Sequence, residues 1–284
     1  MAGEIEYPTE NEPSKEAIMR TTIDSYKSRT AKLDLDGIDF DAFRDQPLSP
    51  GTLRSLRYMH DIEHHTVCYL RDLLLTPAHR DPDVTSFLAC WGYEELWHGE
   101  AIASVLEAHG EVAGSSRVAA LRLGRRWKDT MTVALHFGTA SVLGDWFVAV
   151  HMAWGAVNEW ATQAGYARLA TLERHPMLSE LLKRIMKQEG RHIDFYASEA
   201  ERRLGASRRS RVATRLALKH LWQPVGAGVM PRSELRFLVD YLFGDPEGRA
   251  VAQRIDRHID NLPGLAGLAL MSGAVTHYAG ALAA

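Results

Sequence analysis

The chain has only two cysteines in 284 residues, Cys68 and Cys90. That scarcity excludes a disulfide framework and predicts a reducing, cytoplasmic setting with buried thiols. The opening MAGEIEYPTENEPSKEA is acidic and lacks an apolar stretch, so no secretory or transit signal is expected. Neither sign of charge is in excess. With 33 basic and 36 acidic residues the net charge is −3, which gives no reason to expect nucleic acid as a partner. Residues 261–284 contain no Asp, Glu, Lys or Arg, yet they open on Pro263-Gly264 and are rich in Gly and Ala. A closing helix packed on the domain is predicted there rather than a membrane anchor. Alternating β-type segments are scarce, and 3.6-residue periodicity dominates. The sequence therefore reads as all-α.

Residues 1–13 are expected to be disordered, followed by a helix over residues 14–31 and a loop through DLDGIDFDAFRDQPLSP. Pro50 suits a helix start, with the helix running to about Leu75. Pro77 and Pro82 bracket a turn. A second helix runs from about Asp83 to Gly110, a suitable C-cap. After a long connection with helical pieces (residues 111–141), a third helix runs to about Leu172. A turn at Arg174 to Pro176 leads into a fourth helix that ends near Gly205. Two or three shorter helices are expected beyond, separated by QPVGAGVMP and FGDPEG.

Two stretches carry candidate chemistry. YEELWHGEA places Glu95 three residues before His98, and KQEGRHIDF places Glu189 three before His192. Positions i and i+3 share a helix face, so each carboxylate and imidazole reach one point. With 19 Glu and 13 His in the chain, roughly 0.9 such pairs arise by chance, so two pairs alone decide nothing. Register decides. Antiparallel helices joined by a short turn bring together residues equidistant from it. Glu63 and Glu95 have their midpoint at residue 79, and Glu159 and Glu189 at residue 174, each inside an expected turn. The same register puts Cys68 and Cys90 at one level. The neighbours one and two turns away are mainly apolar, including Leu56, Met59, Leu88, Trp91, Met152, Ile185 and Met186. All four carboxylates should therefore face the interior.

Four buried carboxylates without a cation would repel each other and lose hydration; two divalent cations balance them and use two neutral imidazoles. Oxygen-rich ligation with one His per ion suits iron or manganese better than structural zinc. Two lone Glu and two E-x-x-H on four helices form the pattern of ferritin-like di-iron carboxylate proteins. The predicted fold is thus an all-α, ferritin-like four-helix bundle over residues 14–205, with an N-terminal helix and a long crossover. A C-terminal helical extension, residues 206–284, packs on it. The competing reading is that the six residues are surface acids or helix-pairing charges.

Flanking residues resemble a narrower group. WGYEELWHGEA is similar to the W-x-x-E-E-x-x-H-G motif of soluble acyl-carrier-protein desaturases at Trp91, Glu94, Glu95, His98 and Gly99. NEWATQAGYARLA resembles their E-x-A-T segment at Glu159, Ala161 and Thr162. EGRHIDFY resembles the E-x-x-H segment of actinobacterial members at Glu189, Arg191, His192, Phe195 and Tyr196. The resemblance spans about residues 50–204. It departs at Trp97, where those desaturases commonly carry Arg, and around Glu63, where DIEHHTVCYL matches weakly beyond the ligand.

The resemblance implies metal ligation by Glu63, Glu95, His98, Glu159, Glu189 and His192. It implies two iron ions, or a Mn/Fe pair, with O2 as co-substrate and a ferredoxin-like electron donor. The substrate implied is an acyl chain, including one bound to an acyl carrier protein, attacked at an unactivated C–H bond. Thr162 would be catalytic, giving a proton or hydrogen bond to oxygen under reduction; a bond back to the Asn158 carbonyl is the alternative. Other readings are a di-metal hydroxylase or N-oxygenase of specialised metabolism, and a non-catalytic ferritin-like metal-binding or storage protein. A homodimer is left open.

Gly92, Gly99, Gly155 and Ala156 either clear space for oxygen and substrate or allow close helix packing. His64 and His65 are expected on a polar face, and Tyr166 and Tyr196 either line a cavity or serve the core. The run Arg202, Arg203, Arg208, Arg209, Arg211, Arg215 and Lys219 either docks an acidic partner or is a solvated face.

Overall fold

The structure is a computed structural model that describes residues 23–124 and 145–279. The expected disorder of residues 1–13 and most of the crossover lie outside the described residues. Among the described residues all regular structure is helical.

Short helices α1 (residues 23–29) and α2 (Ala42–Asp45) precede α3 (Pro50–Leu74). Pro50 occupies the first turn of α3, where its missing N–H is no loss, and the Ser49 hydroxyl accepts from the Thr52 amide. A single 3₁₀ turn, Pro77–Arg80, leads to α4 (Pro82–Ala108), whose first amides at Asp83 and Val84 are capped by the Asp81 carboxylate. Helix α5 covers residues 114–124. Helix α6 (Asp145–Glu173) and α7 (Pro176–Ala206) are joined through Arg174, which takes φ 57° and turns the chain. The C-terminal part holds four helices rather than two or three: α8 (Arg208–Leu221), α9 (Arg232–Phe243), α10 (Pro246–Asn261) and α11 (Leu270–Ala279). Ser207 caps α8 with its hydroxyl, and Pro246 already opens α10 inside FGDPEG.

Helices α3 and α4 form one antiparallel hairpin and α6 and α7 another, and α4 packs on α7. Facing pairs fix the register. Leu70 lies against Gly92 and His64 against Gly99, while Tyr196 lies against Gly155 and Gln163 Nε2 donates to the Met186 carbonyl at 3.0 Å. Those pairs centre near residues 81 and 175, close to the turns that the sequence predicts. At Gly92, Gly99 and Gly155 a Cβ would collide with the facing side chain. These glycines admit neighbouring side chains, which accounts for Gly92 and Gly99 by close packing, while Gly155 also lines a cavity.

The C-terminal helices pack on the hairpins: α8 on α6 and α7, α9 on α3 and α6, α10 on α6. Polar ties reinforce the apolar contact. Arg54 makes a two-pronged pair with Glu234 at 2.8 Å, and buried Arg168 donates to the Leu242 carbonyl at 2.9 Å and to Asp245 at 2.6 Å. Helix α11 packs on α9 and α10, as expected for the charge-poor segment. Among the described residues no helix is long and apolar enough to cross a membrane.

Candidate metal centre

The paired register delivers six side chains to one place. Glu63 comes from α3, Glu95 and His98 from α4, Glu159 from α6, and Glu189 and His192 from α7; all six are buried. They form two donor sets. Glu63, Glu95, His98 and Glu189 offer one set, and Glu95, Glu159, Glu189 and His192 the other, with the donor atoms of each lying within 4.8 Å of one another. Opposite ligands on one ion at 2.0–2.2 Å are separated by about 4 Å, so each set spans the width of a single ion. Glu95 and Glu189 belong to both.

The donors are short of other partners. Glu63 Oε2, Glu95 Oε1, Glu189 Oε1 and His98 Nδ1 are buried without a hydrogen bond. His98 Nδ1 and Glu189 Oε1 lie 3.3 Å apart, and His192 Nδ1 lies 2.9 Å from Glu189 Oε2 and 3.1 Å from Glu95 Oε1. Buried polar atoms are nearly always paired. Four unpaired ones converging on a common point fit a cation, and carboxylate with imidazole is the donor chemistry for iron or manganese.

Protonation without a cation tells the same story. Burial, then the charge of Glu95, raises the Glu63 carboxyl well above its ordinary value. Burial, then the charge of Glu189, pushes Glu95 to about 7 and Glu159 to about 8. Burial would raise Glu189 as well, but the hydrogen bond from His192 and the charges of His192 and His98 carry it below the usual carboxylate range. Burial opposes charging of His98, but Glu189 outweighs it and the imidazole is raised. The metal-free cluster thus gathers protons where cations could replace them.

Both imidazoles are aimed from outside. His98 Nε2 donates to Gln188 Oε1 at 2.8 Å, and His192 Nε2 to Glu94 Oε2 at 2.9 Å. Each outer bond keeps the proton on Nε2 and leaves Nδ1 for the cluster. Glu63 and Glu159 are held too. The Tyr166 hydroxyl donates to Glu63 Oε1 and the Trp91 indole to Glu159 Oε1 at 3.0 Å.

The roles of Glu94, Gln188, Trp91 and Tyr166 do not follow from helix periodicity. One signal was available for two of them: Glu94 and Gln188 each immediately precede a ligand Glu, in Glu94-Glu95 and Gln188-Glu189. His64 departs from expectation. It is buried rather than on a polar face, edge-on to His60 at 4.6 Å between ring centres, and burial, then His60, lowers its pKa to about 4. Tyr196 is a buried ring against Trp91 and His151 that also lines a cavity. Cys68 and Cys90 are free and half-buried.

Two cavities reach the cluster from the side of α3 and α6. One of about 320 Å³ touches Glu63, Glu95 and Glu159, and its wall includes Tyr69, Trp91 and Gly226. A narrower apolar one of about 70 Å³ runs between Met59, Ile62, Leu242 and Met271. Ile62, Glu63, Thr162 and Val225 line both. Thr162 is half-buried there, and among the described residues its hydroxyl is not bonded back to the Asn158 carbonyl.

The basic run divides. Arg202 and Arg203 pair with Glu199, and Arg203 also with Asp81. Arg211 donates to the Leu204 carbonyl, and Arg215 to those of Gly264 and Ala266. Arg208, Arg209 and Lys219 remain exposed. Comparison with family models, with curated proteins and with solved structures finds no match for this chain.

Proposed function

We propose that the protein is a ferritin-like di-metal oxidase. In this reading Glu63, Glu95, His98 and Glu189 would hold one ion and Glu95, Glu159, Glu189 and His192 the other, with Glu95 and Glu189 common to both. The observation that carries it is the pair of buried donor sets sharing two carboxylates and opening onto a cavity. Two iron ions, or a Mn/Fe pair, would supply the electron-transfer chemistry with dioxygen. The chain's own residues bind, orient and exclude water.

The larger cavity, about 320 Å³ and mainly apolar in its lining, is of the size that could take part of an acyl chain, with its reacting carbon near Glu63 and Thr162. Desaturation balances when the substrate loses two hydrogens and a donor supplies two electrons. With two protons, these take one O2 to two waters. In this reading Thr162, which lines both cavities, would give one of those protons. A ferredoxin-like donor or acyl carrier protein, both acidic, would meet exposed Arg208, Arg209 and Lys219.

Metal analysis of the protein beside Glu95→Ala and Glu189→Ala tests the reading. About two iron or manganese ions per chain are expected, lost from both variants. Unchanged metal in both, or stoichiometric zinc alone, overturns it. A reduced, iron-loaded protein that fails to consume oxygen removes the oxidase part.

A further inference from the structure

The two halves of the cluster are related by a matched register that breaks at one position. Glu94 on α4 holds His192 of α7, and Gln188 on α7 holds His98 of α4, each from the residue just before a ligand Glu. One outer partner is a carboxylate and the other a neutral amide.

Neighbouring bonds fix that difference. Glu94 is fully buried; Arg191 donates to its Oε1 at 2.5 Å and Tyr26 to its Oε2 at 3.0 Å, so its carboxylate is paired with a guanidinium. Gln188 cannot turn over freely, because its amide N–H donates to the Ala31 carbonyl at 3.1 Å and leaves only Oε1 for His98. Ala31 serves both sides, since its own N–H lies 3.4 Å from Glu94 Oε1. A charged acceptor on an imidazole N–H makes the opposite nitrogen a better donor than a neutral acceptor does. Glu63 and Glu159 point the same way. The Tyr166 hydroxyl takes charge from Glu63 Oε1, whereas Glu159 Oε1 accepts from the weaker indole donor of Trp91.

We propose that the two metal positions are unequal and fill in order: the Glu159/His192 position first, the Glu63/His98 position second. The inference rests on the di-metal reading above. Outer partners of this kind alter metal affinity by about 10–100-fold, and that is the expected separation of the two binding steps.

The test uses the full chain stripped of metal and titrated with Mn(II) alone, followed by calorimetry and electron paramagnetic resonance. Two steps about 10–100-fold apart in Kd are expected, and at one equivalent the spectrum should be that of isolated Mn(II) rather than a coupled pair. Glu94→Gln should weaken the tight step until the two merge. Gln188→Glu should tighten the loose step until they merge, and this variant guards against misfolding of the first. At one equivalent, anomalous scattering from crystals should place Mn at the Glu159/His192 position. Equal steps in the unmodified protein, or equal weakening of both by Glu94→Gln, overturn the proposal and leave the di-metal reading standing. Complete failure to bind Mn(II) overturns both.

Discussion

The cluster has a sealed side and an open side. Helices α4 and α7 supply four of the six clustered side chains, and their imidazoles are backed by Glu94 and Gln188, which are themselves held by Tyr26 and Ala31. Helices α3 and α6 supply only Glu63 and Glu159, and both cavities lie on their side with Thr162. The difference separates two tasks. A site must grip an ion through rigidly aimed donors, and it must leave room for a reactant next to them. Putting the E-x-x-H pairs on one side lets the other side stay open.

The largest effect should come from breaking what both sides share. Glu189→Ala removes a donor common to the two sets and should take metal content from about two ions to nearly none, whereas Glu63→Ala should leave about one. Elemental analysis with circular dichroism checks this; equal losses would deny that Glu189 is common to both.

Next in size is a pH effect. In the metal-free protein Glu95 sits at about 7 and Glu159 at about 8, above the ordinary value of 4.5. A carboxyl raised in the folded state contributes stability that is fully present below its unfolded pKa and is lost as pH rises through the folded one. Metal-free protein should therefore lose thermal stability as pH rises from about 4.5 to about 8, while metal-loaded protein changes less. The gap in Tm should widen by several degrees, since about 1 kcal/mol shifts Tm by roughly 2–4 °C at this chain size. A gap that narrows with rising pH contradicts the charge assignment.

Thr162→Val sharpens the comparison on the open side alone. It keeps the side-chain shape and should leave metal content unchanged, but slow re-oxidation of the reduced, iron-loaded protein by about 10-fold or more. An unaltered rate after an oxygen pulse would show that the hydroxyl has no part. The smallest effect lies outside both sides. Replacing exposed Arg208 and Arg209 with Glu should raise the apparent KM for an acidic electron donor a few-fold at low salt. That change should fade near 0.5 M salt, where screening shortens to a few Å. Identical KM values at low salt would mark this stretch as solvated surface.

Much of the site was legible because a helix has a fixed repeat. Once two Glu sit equidistant from an expected turn, the residues that meet across the hairpin follow from counting, and the structure brings all six together. Geometry beyond that count was not legible. His64 adjoins Glu63 and reads as polar-facing, yet the chain after α4 returns beside α3, donates from the Gly114 amide to His60, and helps enclose this part of α3. Arg211 and Arg215 read as free charge, yet Arg211 donates to the Leu204 carbonyl in the last turn of α7 and Arg215 to carbonyls of the loop between α10 and α11. Gly92, Gly99 and Gly155 left two explanations open until the facing side chains were in place.

By itself the sequence determined the helical class, the positions of the two hairpin turns, and the level at which four carboxylates and two imidazoles meet. Those properties depend on local periodicity and on chain length between turns, both of which are written along one dimension. Only the tertiary structure decided which residues back the ligands and on which side the cavities open. It also decided that Glu94 and Gln188 cross over to each other's histidine. Those contacts join residues about 90 to 100 positions apart in sequence, and no local repeat encodes which faces of separate helices come together.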